Sequence, residues 1–342
     1  MAKRCIALYS GGLDSILAIR MMQEQSFEVI PLYFCTPFFG YDVLVNTKAH
    51  KEFHERAYGI RMHPVDFTDD IIDVVRDPRH GFGKHLNPCI DCKIRMLRKA
   101  GSMMEQLDAS FVVTGEVLGQ RPMSQRRDAM NLIERESGLK DMLLRPLCAR
   151  HLPPTYPERT GLVDRERLGD MAGRGRKAQM ELAAKYGITP ETMPTPAGGC
   201  LLADEQISRK VGLTFERFRP GVPSRADILL DILGRKFMLD ENTVLIVSRN
   251  EEENRMLSSM VFQGNTFLKI ADVPGPMCVM RGDASEKNLR TAAAVCLRYS
   301  KGRGMEGRVA VYGPDPSALT GTVEASAVSE EYCRRFQIDL NK

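Results

Sequence analysis

At 342 residues the chain is longer than one ordinary domain, so two domains are expected, each able to bury a core without disulfides. No apolar run is long enough to span a bilayer, and a net charge of +4 is too small by itself to specify a nucleic-acid binder. Lys3 and Arg4 lead straight into a strand pattern instead of a signal peptide, which predicts a cytoplasmic protein whose nine cysteines stay reduced.

In chain order, the first half alternates apolar strand runs with amphipathic helical stretches. Strands are expected at Arg4 to Tyr9, Glu28 to Cys35, Met62 to Phe67, Phe111 to Thr114 and Leu143 to Leu147. Helices are expected at Asp14 to Gln25, Asn46 to Tyr58, Asp69 to Val75, Lys93 to Gln106, Ser124 to Gly138 and Asp164 to Tyr186. This alternation predicts an α/β fold, a doubly wound and mostly parallel sheet, over residues 1–213. Proline and glycine between Thr189 and Cys200 read as an ordered loop delivering Cys200, and a short helix from Asp204 to Val211 would close the domain. Residues 214–342 read as a smaller α+β domain. Strands at Val244 to Ser248, Thr266 to Val273, Met277 to Arg281 and Arg308 to Tyr312 surround helices at Glu251 to Val261 and Ser285 to Ser300, the order of a split β-α-β sandwich. Basic residues collect at Arg121, Arg126 and Arg127, at Arg174, Arg176 and Lys177, and from Lys287 to Arg308.

Ser10-Gly11-Gly12-Leu13-Asp14-Ser15 falls between the first strand and the first helix. Glycines there let backbone approach a phosphate, while helix-start amides and serine hydroxyls supply donors. Asp14 would repel a bare phosphate but suits a magnesium ion lying between them. The string lacks the Lys-Ser or Lys-Thr ending of the common nucleotide-binding loop.

Pro88-Cys89-Ile90-Asp91-Cys92-Lys93 places two thiols three residues apart at a helix start, a position expected to favour thiolate. No second C-x-x-C exists to complete a structural zinc site. Cys200, flanked by Gly198 and Gly199, is the remaining candidate, and three thiolates would leave one coordination position open for chemistry. Cys5, Cys35, Cys278 and Cys296 read as core residues, while Cys148 and Cys333 stay undecided.

The six-residue loop resembles the signature of the PP-loop ATP pyrophosphatases, an adenine nucleotide alpha hydrolase-like fold that cleaves ATP between its α and β phosphates. Together with Pro88-Cys89-Ile90-Asp91-Cys92-Lys93, the string from Thr114 to Ser124 and the Gly-Gly-Cys segment, it is similar to the tRNA thiouridine synthases of the 4-thiouridine synthase and 2-thiouridylase branch. Val247-Ser248-Arg249-Asn250-Glu251-Glu252-Glu253-Asn254 resembles the RNA-binding module of the NFACT proteins. These resemblances imply a sulfurtransferase that binds ATP over Ser10, Gly11, Gly12, Leu13, Asp14 and Ser15, with magnesium at Asp14. Main chain at Tyr33 and Phe34 would contact adenine; Thr114, Gly115, Gln120 and Arg121 would line the site. In cluster-dependent members of this branch, residues matching Cys89, Cys92 and Cys200 hold a four-iron, four-sulfur cluster; in others the distant thiol carries a persulfide, and the sequence is compatible with both. The implied partners are tRNA and a sulfur donor, sulfide or a persulfide carrier protein, with homodimerisation an open option. The departures are the lack of an RNA-binding THUMP region before the loop and of a rhodanese loop after it. Two other readings share the loop: a small-molecule ligase with structural cysteines, and an RNA-binding protein with a degenerate nucleotide site.

Overall fold

The computed structural model describes residues 3–194, 199–271, 273–301 and 306–338. Its contacts divide the chain into two units, Met1–Asp204 and Glu205–Lys342, each with its own sheet and hydrophobic core. Residues 195–198 of the expected delivery loop and residues 302–305 of the basic run lie outside the described residues.

The first unit runs β1 (Arg4–Tyr9), α1 (Leu13–Glu24), β2 (Glu28–Cys35), α2 (Tyr41–Val45), α3 (Thr47–Tyr58), β3 (His63–Asp66), α4 (Thr68–Arg76), α5 (Cys89–Ser102), β4 (Val112–Thr114), α6 (Arg127–Ser137), β5 (Leu143–Leu144), α7 (Tyr156–Arg159) and α8 (Lys177–Lys185). The five strands are parallel in the order β3-β2-β1-β4-β5. Central β1 buries Cys5, Ile6 and Ala7 in succession, as a strand covered on both faces must. The winding direction reverses between β1 and β4, which pair with Leu8 opposite Thr114. At such a switch point the crevice beyond the carboxyl ends of the strands is open to ligands, and here those ends carry the Ser10 loop and Gly115.

One long element differs from expectation. Instead of a helix over Asp164 to Tyr186, a single 3-10 turn at Arg165–Arg167 is followed by extended chain, and α8 starts only at Lys177. The extended stretch finds backbone partners across the fold: Gly169 N–H donates to Pro146 O at 2.8 Å, Met171 N–H to Leu147 O at 2.9 Å and Gly173 N–H to Leu118 O at 2.7 Å. These ladder-like bonds outweigh the helical propensity of its charged residues. α2 has no counterpart among the expected helices, and α5 starts at Cys89, four residues before the expected Lys93.

The second unit runs α9 (Glu205–Arg217), α10 (Arg225–Asp231), β6 (Arg235–Met238), β7 (Val244–Val247), α11 (Glu251–Ser258), β8 (Asn265–Ile270), β9 (Cys278–Arg281), α12 (Glu286–Arg298), β10 (Glu306–Tyr312), β11 (Leu319–Ser326) and α13 (Glu330–Phe336). Its pairs are all antiparallel, in the order β11-β10-β8-β9-β7-β6. The split β-α-β core is present, with β9 between β7 and β8. The closing strand departs from that pattern: β10 joins β8, because the outer edge of β7 is already taken by β6. The helix expected to close the first domain, α9, instead opens the second unit and lies against α10. Among the described residues no helix is long and apolar enough to cross a membrane.

Gly169 tests the extended stretch. A Cβ built there would lie 2.4 Å from Leu147 O, inside any allowed contact. Gly169→Ala should therefore lower stability by about 2 kcal/mol, read as a shift in denaturant midpoint at unchanged slope.

Candidate functional site

The site is built on the turn between β1 and α1. Gly11 adopts φ +72°, a conformation that favours glycine, and Gly12 caps α1 with no side chain bonded to the helix end. The helix start is thus left for an external anion. Ser15 Oγ donates to Gly12 O at 2.7 Å, Ser10 N–H donates to Ser15 Oγ at 3.3 Å, and Gly12 N–H reaches Ser10 Oγ at 3.4 Å. The loop is held in shape by its own serines, with the Leu13 side chain turned into the core.

Beside it stands a group that sequence reasoning missed. His54 of α3 is buried, and its Nδ1 lies 2.7 Å from the Tyr9 hydroxyl. A Cβ placed on Gly11 would sit 3.4 Å from the His54 ring and 3.4 Å from that of Tyr33. Burial, reinforced by His50, lowers the His54 pKa to about 4, so the imidazole is neutral. The available signal was the spacing of His50, Phe53, His54 and Tyr58 along one helix, which marks a packed face more than a site. Tyr33 is in register with both Tyr9 and Pro64, and Phe34 pairs with Val65; what Tyr33 presents to the loop is its ring.

The end of β4 closes on the loop from the other side. Gly115 packs so tightly that a Cβ there would lie 2.5 Å from Asp14 O. Gln120 Nε2 donates to Asp14 Oδ2 at 2.9 Å, while Arg176 Nη2 approaches Asp14 Oδ1 at 3.9 Å. Asp14 Oδ1 is buried and has no hydrogen-bond partner, the state of an oxygen that suits a cation. Thr114 is buried and donates to Glu116 Oε2 at 3.0 Å.

The C-x-x-C pair occupies the first turn of α5, and the Cys89 thiol donates to Asn87 Oδ1 at 2.9 Å. Cys200 is fixed through its neighbour, since Leu201 N–H donates to Phe38 O at 3.0 Å. The three thiols are close enough to act on one another's ionisation. Burial pushes the Cys200 thiol up to about 12, with Cys89 adding to the shift, and burial followed by Cys200 raises Cys92 further. For Cys89, burial also raises the pKa, partly offset by Lys93 and Arg121. Burial thus opposes the thiolate that the helix start was expected to favour and raises all three thiols above their ordinary value. Among the described residues, no three of His, Cys, Asp and Glu gather at metal-holding separation. As a donor set, three soft thiols held in one neighbourhood still fit an iron–sulfur cluster with one iron left open. The other six cysteines, Cys148 and Cys333 included, are buried.

Glu116 joins the two halves of the site. It is 3% exposed, lies 3.7 Å from Lys93 Nζ and accepts from Arg145 Nε at 3.1 Å. Arg145 also binds Glu134 at 2.7 Å and Met130 O at 3.1 Å. Burial alone would raise the Glu116 pKa, but Lys93 and Arg145 hold it below the ordinary value. The C-x-x-C-K helix is thus clamped to the strand end that contacts Asp14. Glu116 stands within the Thr114 to Ser124 string, yet nothing in that string distinguishes it from its neighbours.

The first unit is thus a parallel α/β unit with a glycine turn at its switch point and a set of three thiols, and the second is an antiparallel α+β unit. Residues 1–151 match the family described as Thiamine biosynthesis protein (ThiI), and residues 234–337 match the NFACT protein RNA binding domain. The two matched stretches follow one another in the order in which the two resemblances fall along the sequence. It is 27% identical over 145 residues to a probable tRNA sulfurtransferase of Thermococcus kodakarensis, covering 42% of this chain and 36% of that protein. It is 29% identical over 127 residues to the tRNA-specific 2-thiouridylase MnmA of Sulfurimonas denitrificans, covering 34% of this chain and 36% of that one. The chain therefore spans only about a third of the length of these relatives. A 4-thiouridine synthetase solved with RNA and ATP aligns at TM-score 0.35 and 16% identity, over 56% of this chain and 52% of that one. The U34-tRNA thiolase NcsA of Methanococcus maripaludis, solved with its [4Fe-4S] cluster, aligns at TM-score 0.32 and 18% identity, over 68% and 71%. Scores this low decide nothing about function.

The buried groups lead to two expected outcomes. Glu116→Gln should cost about 3 kcal/mol at neutral pH by removing the carboxylate beside Lys93 and leaving Arg145 with Glu134 as its one acidic partner. Because the folded-state pKa of Glu116 is depressed, the difference from wild type should shrink as pH falls below 4.5, seen by denaturant titration across pH. His54 has the opposite charge type: the unfolded chain takes its proton near 6.5 and the folded chain only near 4, so stability should fall as pH drops through that window. In His54→Phe the slope of stability against pH should flatten there.

Proposed function

We propose that the chain is an ATP-dependent tRNA sulfurtransferase that activates a uridine carbonyl oxygen by adenylation and replaces it with sulfur, yielding 4-thiouridine or 2-thiouridine. The observation that carries this reading is the reach of residues 114–121. Gly115 and Gln120 touch Asp14 of the phosphate loop, Glu116 is paired with Lys93 beside the C-x-x-C, and the charge of Arg121 acts on Cys89. One short segment thus couples a nucleotide loop to a set of thiols, which is what coupled adenylation and sulfur transfer require. A ligase with merely structural cysteines has no use for that coupling.

In this reading the amides and hydroxyls of Ser10 to Ser15 bind the triphosphate, and Arg121 and Arg176 offer positive charge to the leaving pyrophosphate. Tyr33 and Phe34 border the adenine side, and Thr114 and Gly115 the α-phosphate side. Asp14 holds magnesium, which would offset charge on the departing phosphates. The uridine oxygen bonds to the α phosphorus as the bridge to the β phosphate breaks; sulfur then bonds to the ring carbon as AMP leaves. Cys89, Cys92 and Cys200 hold a four-iron, four-sulfur cluster, which would offer an iron position for sulfide. The NFACT-type unit grips tRNA. The sulfur donor is sulfide or a persulfide carrier, the compartment is the cytoplasm, and a homodimer fits the scheme.

The test uses the full chain, purified without oxygen, with tRNA and ATP. Asp14→Ala should reduce pyrophosphate release about 100-fold or more. Cys200→Ala should keep pyrophosphate release, lose the broad visible absorbance and form no thiouridine by nucleoside mass spectrometry. ATP turnover to AMP without RNA would instead favour a small-molecule ligase. Thiolation by a colourless protein given a persulfide donor would make Cys200 the sulfur carrier.

A further inference from the structure

We propose that Gln179, on α8 and far from the loop in sequence, is a positioning residue that sets the orientation of Asp14 through Gln120. This rests on the reading that ATP and a divalent cation occupy the Ser10–Ser15 loop, and it adds a residue that no motif of the nucleotide site contains.

The geometry is a two-step amide relay. Gln179 Nε2 donates to Gln120 Oε1 at 3.1 Å, and Gln120 Nε2 donates to Asp14 Oδ2 at 2.9 Å. The direction of each bond follows from chemistry. An ionised carboxylate only accepts, so Gln120 must turn its NH2 toward Asp14 and its carbonyl toward Gln179; Gln179 must then answer with its own NH2. With Oδ2 engaged, the buried and unbonded Oδ1 is the oxygen of Asp14 left for a cation.

Gln179 is a poor choice for any other purpose. It is 1% exposed on a helix whose other inward residue, Ala183, is apolar, and its own Oε1 is buried without a hydrogen-bond partner. An apolar side chain of the same size would fill the position without that cost. The backbone keeps the two amides in register: Leu118 bridges Ala172, Gly173 N–H donates to Leu118 O at 2.7 Å, and Gly119 N–H donates to Gln125 O at 2.7 Å. The extended stretch before α8 is thereby tied to the loop that carries Gln120. The same segment brings Arg176 to 3.9 Å from Asp14 Oδ1, where a positive charge stands beside the oxygen the cation would take.

The experiment is calorimetric titration of the full chain with ATP, once with magnesium chloride and once with EDTA. Once ionised, the carboxylate of Gln179→Glu only accepts, so it would capture the Gln120 NH2, reverse that amide and aim its carbonyl at Asp14. The affinity for ATP with magnesium should fall about ten-fold or more, whereas affinity in EDTA should stay at the wild-type value. Gln179→Met, which fills the space and carries no buried charge, should fold normally and give a smaller loss, again only with magnesium. A purely structural residue would show equal losses in magnesium and EDTA, or none in Gln179→Met, and either result overturns the proposal. If wild-type protein binds ATP no better with magnesium than without, the nucleotide reading itself fails, and the role of Gln179 with it.

Discussion

The close approach of Gly115 to the Asp14 carbonyl is the constraint on which the site depends. Without a side chain at 115, the end of β4 can lie directly on the Ser10–Ser15 turn, and any Cβ there would drive the two apart. That contact occurs where the winding of the parallel sheet reverses, so two strand ends, and not one, shape the ligand crevice. The residues after Gly115 inherit its placement: Glu116 turns inward to Lys93 and Arg145, and Gln120 returns to Asp14. A loop of ordinary composition is thereby made rigid enough to hold charged groups.

Buried polar groups in this unit are arranged in chains, not isolated pairs. Arg145 ties Glu116 to Glu134 and to the Met130 carbonyl; Asp91, between the two cysteines, accepts from His80 N–H at 2.9 Å and lies 2.8 Å from its ring Nδ1. Asp91 and Lys93, the two residues on either side of Cys92, are thus engaged by different parts of the fold. The cysteines gain fixed positions, and the same burial that fixes them opposes their ionisation.

Much of the first unit could be read from the residues. Strands with continuous apolar runs, such as Arg4–Tyr9, and helices with a clear apolar stripe, such as α4, are local patterns that burial then rewards. The misplaced elements differ in their cause. The stretch before α8 has charges at helical spacing, but its amides are taken by Pro146, Leu147 and Leu118; β11 is mostly exposed and contains Gly321, leaving little periodicity to see. For the stretch before α8 the deciding partners are distant in sequence, and for β11 the partner is the neighbouring strand β10.

By itself, the sequence determined the glycine turn at Ser10 to Ser15, the alternation that makes a parallel sheet and the three candidate cysteines, because each is a local pattern of residues. It could not show that Gly115 abuts Asp14, that Glu116 is the buried counter-ion of the C-x-x-C helix, that His54 stands neutral beside Gly11, or that Gln179 reaches Asp14 through Gln120. Nor could it show how far the thiols resist ionisation, since helix position argues for the thiolate while burial and the neighbouring thiols argue against it. Those outcomes depend on desolvation and on contacts between residues up to 106 positions apart, which exist only once the chain has folded.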